Sequence, residues 1–407
     1  MKTFRVIATI CALVAAGISC VKPEEQGKEP EPEITDIELA TKSAEYVEKG
    51  NCFAYDFIDR VNRLEEGDYI VSPLSLQFVL GMVLNGAQGQ TAEEIYKLLG
   101  YGAGEIELVN KFFLNLLTQL PVLDKNTQVA LANALVVNQK YSLLDSYQDT
   151  VRRYYQAGIS NLDFNDMEGS AQIINQWASD HTNGMIKKIL ERVDPDMFSY
   201  LINATYFKGT WALPFKAANT AEASFTDESG NNLTVKMMQQ KDLFNYAETD
   251  VYQKIILPYG NGAYTMAVLL PKAGYTVSDI TDALKKGQQT RGSKAEVDLW
   301  LPKFETTYSI RLNDMLSSMG MPTAFDQMKA DFKGMSQSAW CLSMVKQDAA
   351  IKVDEQGAEA SAVTTIGLDG TTGYSVNKVF HADHPFLYMI SETSTGAILF
   401  AGRYGGH

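Results

Sequence analysis

Glu355–Lys378 reads EQGAEASAVTTIGLDGTTGYSVNK. The stretch is far longer than the usual connection within a compact domain, and it has neither a helix cap nor a helical stripe. Taken with a period of two, one face is Ala358, Ala360, Ala362, Thr364, Ile366 and Leu368, and the other is Glu359, Ser361, Val363, Thr365, Gly367 and Asp369. The first face is apolar or small throughout, and the second holds both charges. A permanent half-buried strand would show this alternation, and so would an exposed loop able to become a strand. Gly367, Gly370 and Gly373 weaken the first reading, because glycine inside a strand costs roughly 0.5–1 kcal/mol. A loop that can become a strand satisfies both facts.

Upstream of this segment, helical periods run over Glu38–Leu64, Ser75–Leu84, Ala92–Leu99, Glu105–Gln119, Ser142–Gln156 and Gly169–His181. Strand-like runs cover Val129–Val137, Met197–Phe207, Val235–Tyr246, Tyr252–Leu257, Tyr264–Leu270, Ala295–Trp300 and, beyond it, Ala397–Gly402. Helices dominate the first half and strands the second, which predicts an α+β fold on large sheets. No second linker and no repeat interrupts the chain after residue 38, so residues 39–407 are expected to form one domain.

The 407 residues are 45% hydrophobic and 21% charged, with a formal net charge of -14. Such a chain can bury a large core, and its acidity argues against nucleic acid as a partner, since neutralising phosphates takes clustered Lys and Arg. The four histidines, His181, His381, His384 and His407, form no H-E-x-x-H pair, and no C-x-x-C is present. The G-x-S-x-G elbow, the phosphate-binding loop and the G-x-G-x-x-G turn are also missing. His384, followed by Pro385 in an apolar setting, reads as structural. No metal or cofactor is implied. Cys52 and Cys341 are expected to be buried thiols.

At the N-terminus, Lys2 and Arg5 precede the apolar run Val6–Ala16, then Gly17, Ser19 and Cys20. This is the order of an export signal, and its apolar part is short for a membrane span. Cys20 in this place resembles the lipidated cysteine of bacterial lipoproteins, with Gly17 where Leu is usual, a laxity familiar among Bacteroides-like bacteria. Residues 1–19 then form the signal and residues 20–38 an acidic, Pro-rich tether too poor in apolar groups to order itself. The resemblance implies a lipid anchor in the outer membrane and exposure at the surface of the cell envelope, the only membrane contact expected. Ordinary cleavage and secretion is the alternative.

The long segment and its surroundings also carry a family resemblance. V-D-E-Q-G-A-E-A-S-A-V-T at Val353–Thr364 resembles the serpin hinge, and Phe380–Arg403 resembles that family's C-terminal signature. S-P-L-S-L from Ser72, N-G-A-Q-G-Q-T from Asn85, N-A-T-Y-F-K-G-T-W from Asn203, L-P-Y from Leu257, L-P-K-F from Leu301 and M-G-M-P-T-A-F from Met319 follow in serpin order. The resemblance implies the serpin fold: a large central sheet with two further sheets, eight or nine helices, and an exposed reactive-centre loop, here about residues 355–379. It also implies a monomeric suicide-substrate inhibitor, not an enzyme, whose cleaved loop enters the central sheet as a new strand. The partner is then an endopeptidase, elastase-like or chymotrypsin-like. A non-inhibitory binding protein and a hydrolytic lipoprotein are the rival functions.

Residue by residue, the hinge falls on Glu355, Gly357, Ala358, Glu359, Ala360, Ser361 and Ala362. Small uncharged residues on its buried face suit an inhibitor, because an unpaired charge entering the sheet would cost several kcal/mol. The positions that govern sheet opening in the family match Ser72, Ser75 and Asn203 at the shutter, and Trp211, Lys303 and Glu355 at the breach. Gln347 stands where the family usually has His, which puts the usual shutter bond in doubt, although Gln both donates and accepts. Counting forward from Gly357 gives Thr371 as P1 and Thr372 as P1', whereas counting back from Pro385 gives Tyr374. Leu368 is a third candidate.

Overall fold

A computed structural model describes residues 36–338, 341–357 and 378–406. The proposed signal and tether with Cys20, the hinge from Ala358 to Ala362 and the candidates Leu368, Thr371, Thr372 and Tyr374 lie outside the described residues.

Eight α-helices occur among the described residues: α1 (Thr41–Leu64), α2 (Pro73–Leu84), α3 (Gly89–Leu99), α4 (Ile106–Gln119), α5 (Asp145–Tyr155), α6 (Met167–His181), α7 (Val277–Lys285) and α8 (Asn313–Met319). The strands are β1 (Tyr69–Val71), β2 (Thr127–Asn138), β3 (Gly158–Leu162), β4 (Ser199–Gly209), β5 (Ala221–Thr226), β6 (Asn232–Glu248), β7 (Tyr252–Tyr259), β8 (Tyr264–Pro271), β9 (Ser293–Pro302), β10 (Phe304–Arg311), β11 (Met344–Val353), β12 (Lys378–His381), β13 (Phe386–Glu392) and β14 (Ile398–Tyr404). These elements belong to one compact unit, Glu33–His407.

The central sheet has the order β10-β11-β4-β2-β3. A second path of nine strands runs β1-β14-β13-β8-β7-β6-β9-β12, with β5 on β6. The two further sheets expected from the resemblance are thus joined, because the long strand β6 pairs with β5 and β9 along its length and with β7 at its end. Within the central sheet β11 and β4 run parallel, with Gln347 opposite Asn203, while β10 pairs with β11 and β2 with β4 in the antiparallel sense.

Alternation explains how this sheet is held. Leu201, Phe207, Val345, Ala349, Ile351 and Val353 face the main core, whereas Tyr200, Ile202, Ala204 and Ala350 face the buried stripe Ala171, Ile174 and Ala178 of α6. Covered on both faces, β4 is buried at every position but Lys208. Helix α2 is buried on every side, as a helix without a polar face must be. Ser72 caps it through its hydroxyl, and Pro73 occupies the first turn, where its missing N–H costs nothing.

All six expected helices and all seven expected strands are present, within a few residues at their ends. The sequence reading missed α7, α8, β1, β3, β5, β10, β11, β12 and β13. Helix α7 had a usable signal, the reciprocal capping box of Thr276 and Asp279. Strand β11 did not, since Lys346, Gln347 and Asp348 break its apolar run. One expectation is corrected: Cys341 is buried, but Cys52 is exposed. Helix α1 turns Phe53, Ala54, Phe57 and Ile58 inward, which leaves Cys52 on the outer stripe with Glu48.

Candidate functional site

The parallel junction between β11 and β4 is closed by side chains at its middle and at its upper end. At the middle, the Gln347 Oε1 accepts from the Ser72 N–H at 2.8 Å, and its Nε2 donates to the Ser72 carbonyl at 2.9 Å and to Asn203 Oδ1 at 2.7 Å. The Asn203 Nδ2 donates to the Ser75 hydroxyl and to Asn133 Oδ1. The Ser72 hydroxyl donates to the Leu399 carbonyl at 2.6 Å, which ties the first turn of α2 to β14. Gln347 and Asn203 are each 1% exposed, so these bonds satisfy groups that would otherwise be buried without partners.

Gln347, standing where the family usually has His, thus bonds both Ser72 and Asn203. A carboxamide offers two N–H donors and an acceptor oxygen, and here all three are used. Ser72 and Ser75, Asn203 and Gln347 come from three distant parts of the chain and are brought together here. Asn133 belongs to the same network and was missed. Its signal was a lone polar residue at a core-facing position of β2, between Leu131 and Leu135.

At the upper end, β11 runs into a tight turn in which Asp354 and Gly357 exchange backbone hydrogen bonds of 2.8 and 3.1 Å. Gly357 also bridges Thr210. Its φ is +117°, and a Cβ there would lie 2.2 Å from the Gly209 carbonyl oxygen, so no other residue fits this close approach. Trp211 holds the turn from two sides, donating its backbone N–H to the Gln356 carbonyl and its indole N–H to the Asp354 carbonyl, each at 2.9 Å. The indole stacks on Tyr259 with centroids 4.2 Å apart.

Glu355 is latched beside this turn. Lys303 Nζ lies 2.7 Å from one carboxylate oxygen, and the Thr220 hydroxyl donates to the other at 2.7 Å. The Glu355 side chain is 13% exposed and that of Lys303 37%, so the pair is more enclosed than a surface ion pair. Burial acts to raise the Glu355 carboxyl, but the hydrogen bonds from Lys303 and Thr220 prevail and hold it below the ordinary carboxylate range. Thr220, outside every quoted motif, could not have been picked from sequence.

The described histidines each contact a neighbouring ring, side chain or carbonyl. His181 lies tilted against Trp177 with ring centroids 4.7 Å apart, and His381 stacks on Trp300. His384 lies within hydrogen-bond distance of Asp383 and of the Pro271 carbonyl.

Residues 48–405 match the serpin (serine protease inhibitor) family. Human Serpin B3 is 32% identical over 378 residues, covering 86% of this chain and 97% of that protein. The leukocyte elastase inhibitor of Xenopus laevis is 32% identical over 372 residues, with 86% and 97% covered. Among solved structures, the thermophilic serpin tengpin in its native state aligns with a TM-score of 0.79 at 27% identity, over 92% of this chain and 96% of that one. Arabidopsis AtSerpin1 in its native stressed conformation aligns with a TM-score of 0.81 at 25% identity, over 90% and 98%. The fold, the parallel junction with its polar lock and the family match agree, and this chain belongs to the serpin family.

Proposed function

We propose that the protein is an inhibitory serpin that traps a serine endopeptidase, or a cysteine endopeptidase, as a covalent acyl-enzyme by inserting its cleaved loop between β11 and β4. The observation that carries this reading is a coincidence of register. The bridges Asp354↔Gly357 and Thr210↔Gly357 keep the same offset as the native pair Gln347↔Asn203. An antiparallel strand continuing from Gly357 would therefore fit β11 and β4 simultaneously, with no slip. Ala358 would come opposite Val353, Ala360 opposite Ile351, Ala362 opposite Ala349, Thr364 opposite Gln347 and Ile366 opposite Val345.

These β11 partners, Gln347 apart, face the main core, and opposed residues in an antiparallel pair share a face. The small and apolar alternation of the loop would thus meet the core, with Ile366 contributing roughly 1.5–3 kcal/mol on burial. Glu359 would come opposite Lys352 on the other face. Inserting a strand must break the Gln347–Asn203 bond, since neighbouring strands are about 4.8 Å apart. Thr364 would arrive at that position with a hydroxyl able to accept from Gln347 and donate to Asn203.

In the proposed reaction the protease serine attacks the Thr371 carbonyl, an ester forms, and the Thr371–Thr372 peptide bond breaks. The proton of the serine hydroxyl leaves with the Thr372 amine. Insertion then draws the bound protease away before water can cleave the ester, and the inhibitor is consumed. Thr371 suits an elastase-like pocket, and neither it nor Tyr374 offers the basic side chain a trypsin-like pocket requires. Cleavage at Tyr374 would leave more slack and distort the protease less.

The proposal extends to location: Cys20 lipidated, with the acidic tether holding the serpin domain at the outer-membrane surface. The functional test is incubation with pancreatic elastase and with chymotrypsin, followed by denaturing gel and mass spectrometry. A denaturant-resistant complex and a fragment beginning at Thr372 are expected, with elastase trapped more efficiently. A stoichiometry near one for chymotrypsin but many-fold higher for elastase would move P1 to Tyr374. Cleavage without complex would exclude inhibition.

A further inference from the structure

Gln347, Asn203 and Asn133 stand opposite one another on three adjacent strands. They form one transverse rung of carboxamides in the middle of the central sheet. Gln347 Nε2 donates to Asn203 Oδ1 at 2.7 Å, Asn203 Nδ2 donates to Asn133 Oδ1 at 2.7 Å, and Asn133 Nδ2 donates to the Leu131 carbonyl at 3.2 Å. Every amide points the same way, and Asn133 itself is only 4% exposed.

That common direction has a physical origin. A primary amide can turn over and exchange its donor end for its acceptor end, so one neighbour must decide which end faces the junction. Ser75 cannot decide it, because a hydroxyl serves as donor or acceptor. The Leu131 carbonyl can, because it only accepts. It orients Asn133 with its nitrogen toward the backbone of β2 and its oxygen toward Asn203. That oxygen at 2.7 Å, backed by the Ala132 carbonyl at 3.3 Å, holds the Asn203 nitrogen, which leaves the Asn203 oxygen facing the junction. On the opposite side, the N–H and carbonyl of Ser72 orient Gln347 in the same manner.

We propose that Asn133 is a positioning residue for strand insertion: acting through Asn203, it keeps an acceptor presented at the junction both before the sheet opens and when the incoming strand arrives. This rests on the inhibitory reading. Leu131 pairs with Thr205 of β4 but lies outside the stretch of β2 that pairs with β3, which begins at Ala134, so the end of the rung is anchored without β3. With Asn133 truncated, the Asn203 nitrogen keeps only the longer bond to the Ala132 carbonyl and the Ser75 hydroxyl, so the amide is held less firmly against turning, and a turned amide opposes its own donor to that of Gln347. The polar lock and its replacement by Thr364 are then both weakened, insertion slows, and more acyl-enzyme is hydrolysed.

Asn133→Ala should raise the stoichiometry of inhibition of pancreatic elastase roughly two- to tenfold, the scale of one buried hydrogen bond, while the rate of the first loop cleavage stays at the wild-type value. Added to Asn203→Ala, or to Gln347→Ala if that protein folds better, the same change should have little further effect on stoichiometry or thermal midpoint. A lowered midpoint with wild-type stoichiometry would show a merely structural residue and overturn the proposal. So would full additivity with both partners. If the wild type traps no protease, the inhibitory reading fails and the role in insertion falls with it, while the midpoint cycle still reports separately whether Asn133 and Asn203 are coupled.

Discussion

Gln347 and Ser72 are joined by two hydrogen bonds of 2.8 and 2.9 Å, the carboxamide of one closing on the backbone N–H and carbonyl of the other. A residue of the β11–β4 junction is thereby fixed to the first turn of a fully buried helix.

Gln347→Leu should test this closure. The Ser72 carbonyl keeps the Leu76 N–H as a partner, but the Ser72 N–H and Asn203 Oδ1 lose theirs, at about 1–3 kcal/mol for each buried group left unpaired. The native thermal midpoint should fall by several degrees at a fixed scan rate. Gln347→Glu should be worse at neutral pH, because its carboxylate faces the Ser72 carbonyl and Asn203 Oδ1, and acidification should partly restore it. A midpoint unchanged in both variants would contradict the assignment.

Ala360→Arg and Thr364→Val probe the register. Both positions lie on the face expected to meet the core after insertion. Ala360→Arg should leave the native midpoint near wild type and turn the inhibitor into a substrate, since a buried unpaired charge costs several kcal/mol. Thr364→Val keeps the shape but removes the hydroxyl that would bridge Gln347 and Asn203, so it should raise the stoichiometry more modestly. If Ala360→Arg forms complex at wild-type stoichiometry, the insertion register is wrong.

The Glu355 latch predicts a response to acid. Its carboxyl lies below the ordinary glutamate value of 4.5, so the native state takes up this proton less readily than the unfolded chain. Its stabilising contribution is complete above the unfolded value and is lost as pH falls through the lower native one. Amide exchange at Gln356 and Gly357, corrected for its intrinsic pH dependence, should therefore accelerate below about pH 4.5 relative to β11. Glu355→Gln should show faster exchange at neutral pH and no such acid step.

Cys20→Ala should abolish lipidation and release the protein from the membrane fraction, and protease applied to intact cells should digest the wild type's loop. Wild-type protein recovered from culture fluid without lipid would contradict the anchor.

Sequence periodicity was enough to reveal α1 to α6, the principal strands and the period-two alternation of residues 358–369, because each of these depends on neighbours within a few positions along the chain. Tertiary structure decided the remainder. Lys346, Gln347 and Asp348 hid β11, because whether a polar residue can be buried depends on partners that periodicity does not see. For Gln347 those partners are Ser72 and Asn203, and for Glu355 they are Lys303 and Thr220. Asn133 looked like a blemish in an apolar strand until three strands placed its amide in line with two others. Burying a polar group without a partner costs more than most single contacts contribute, so the working parts of this sheet are the places where the local pattern breaks and a distant side chain repairs it.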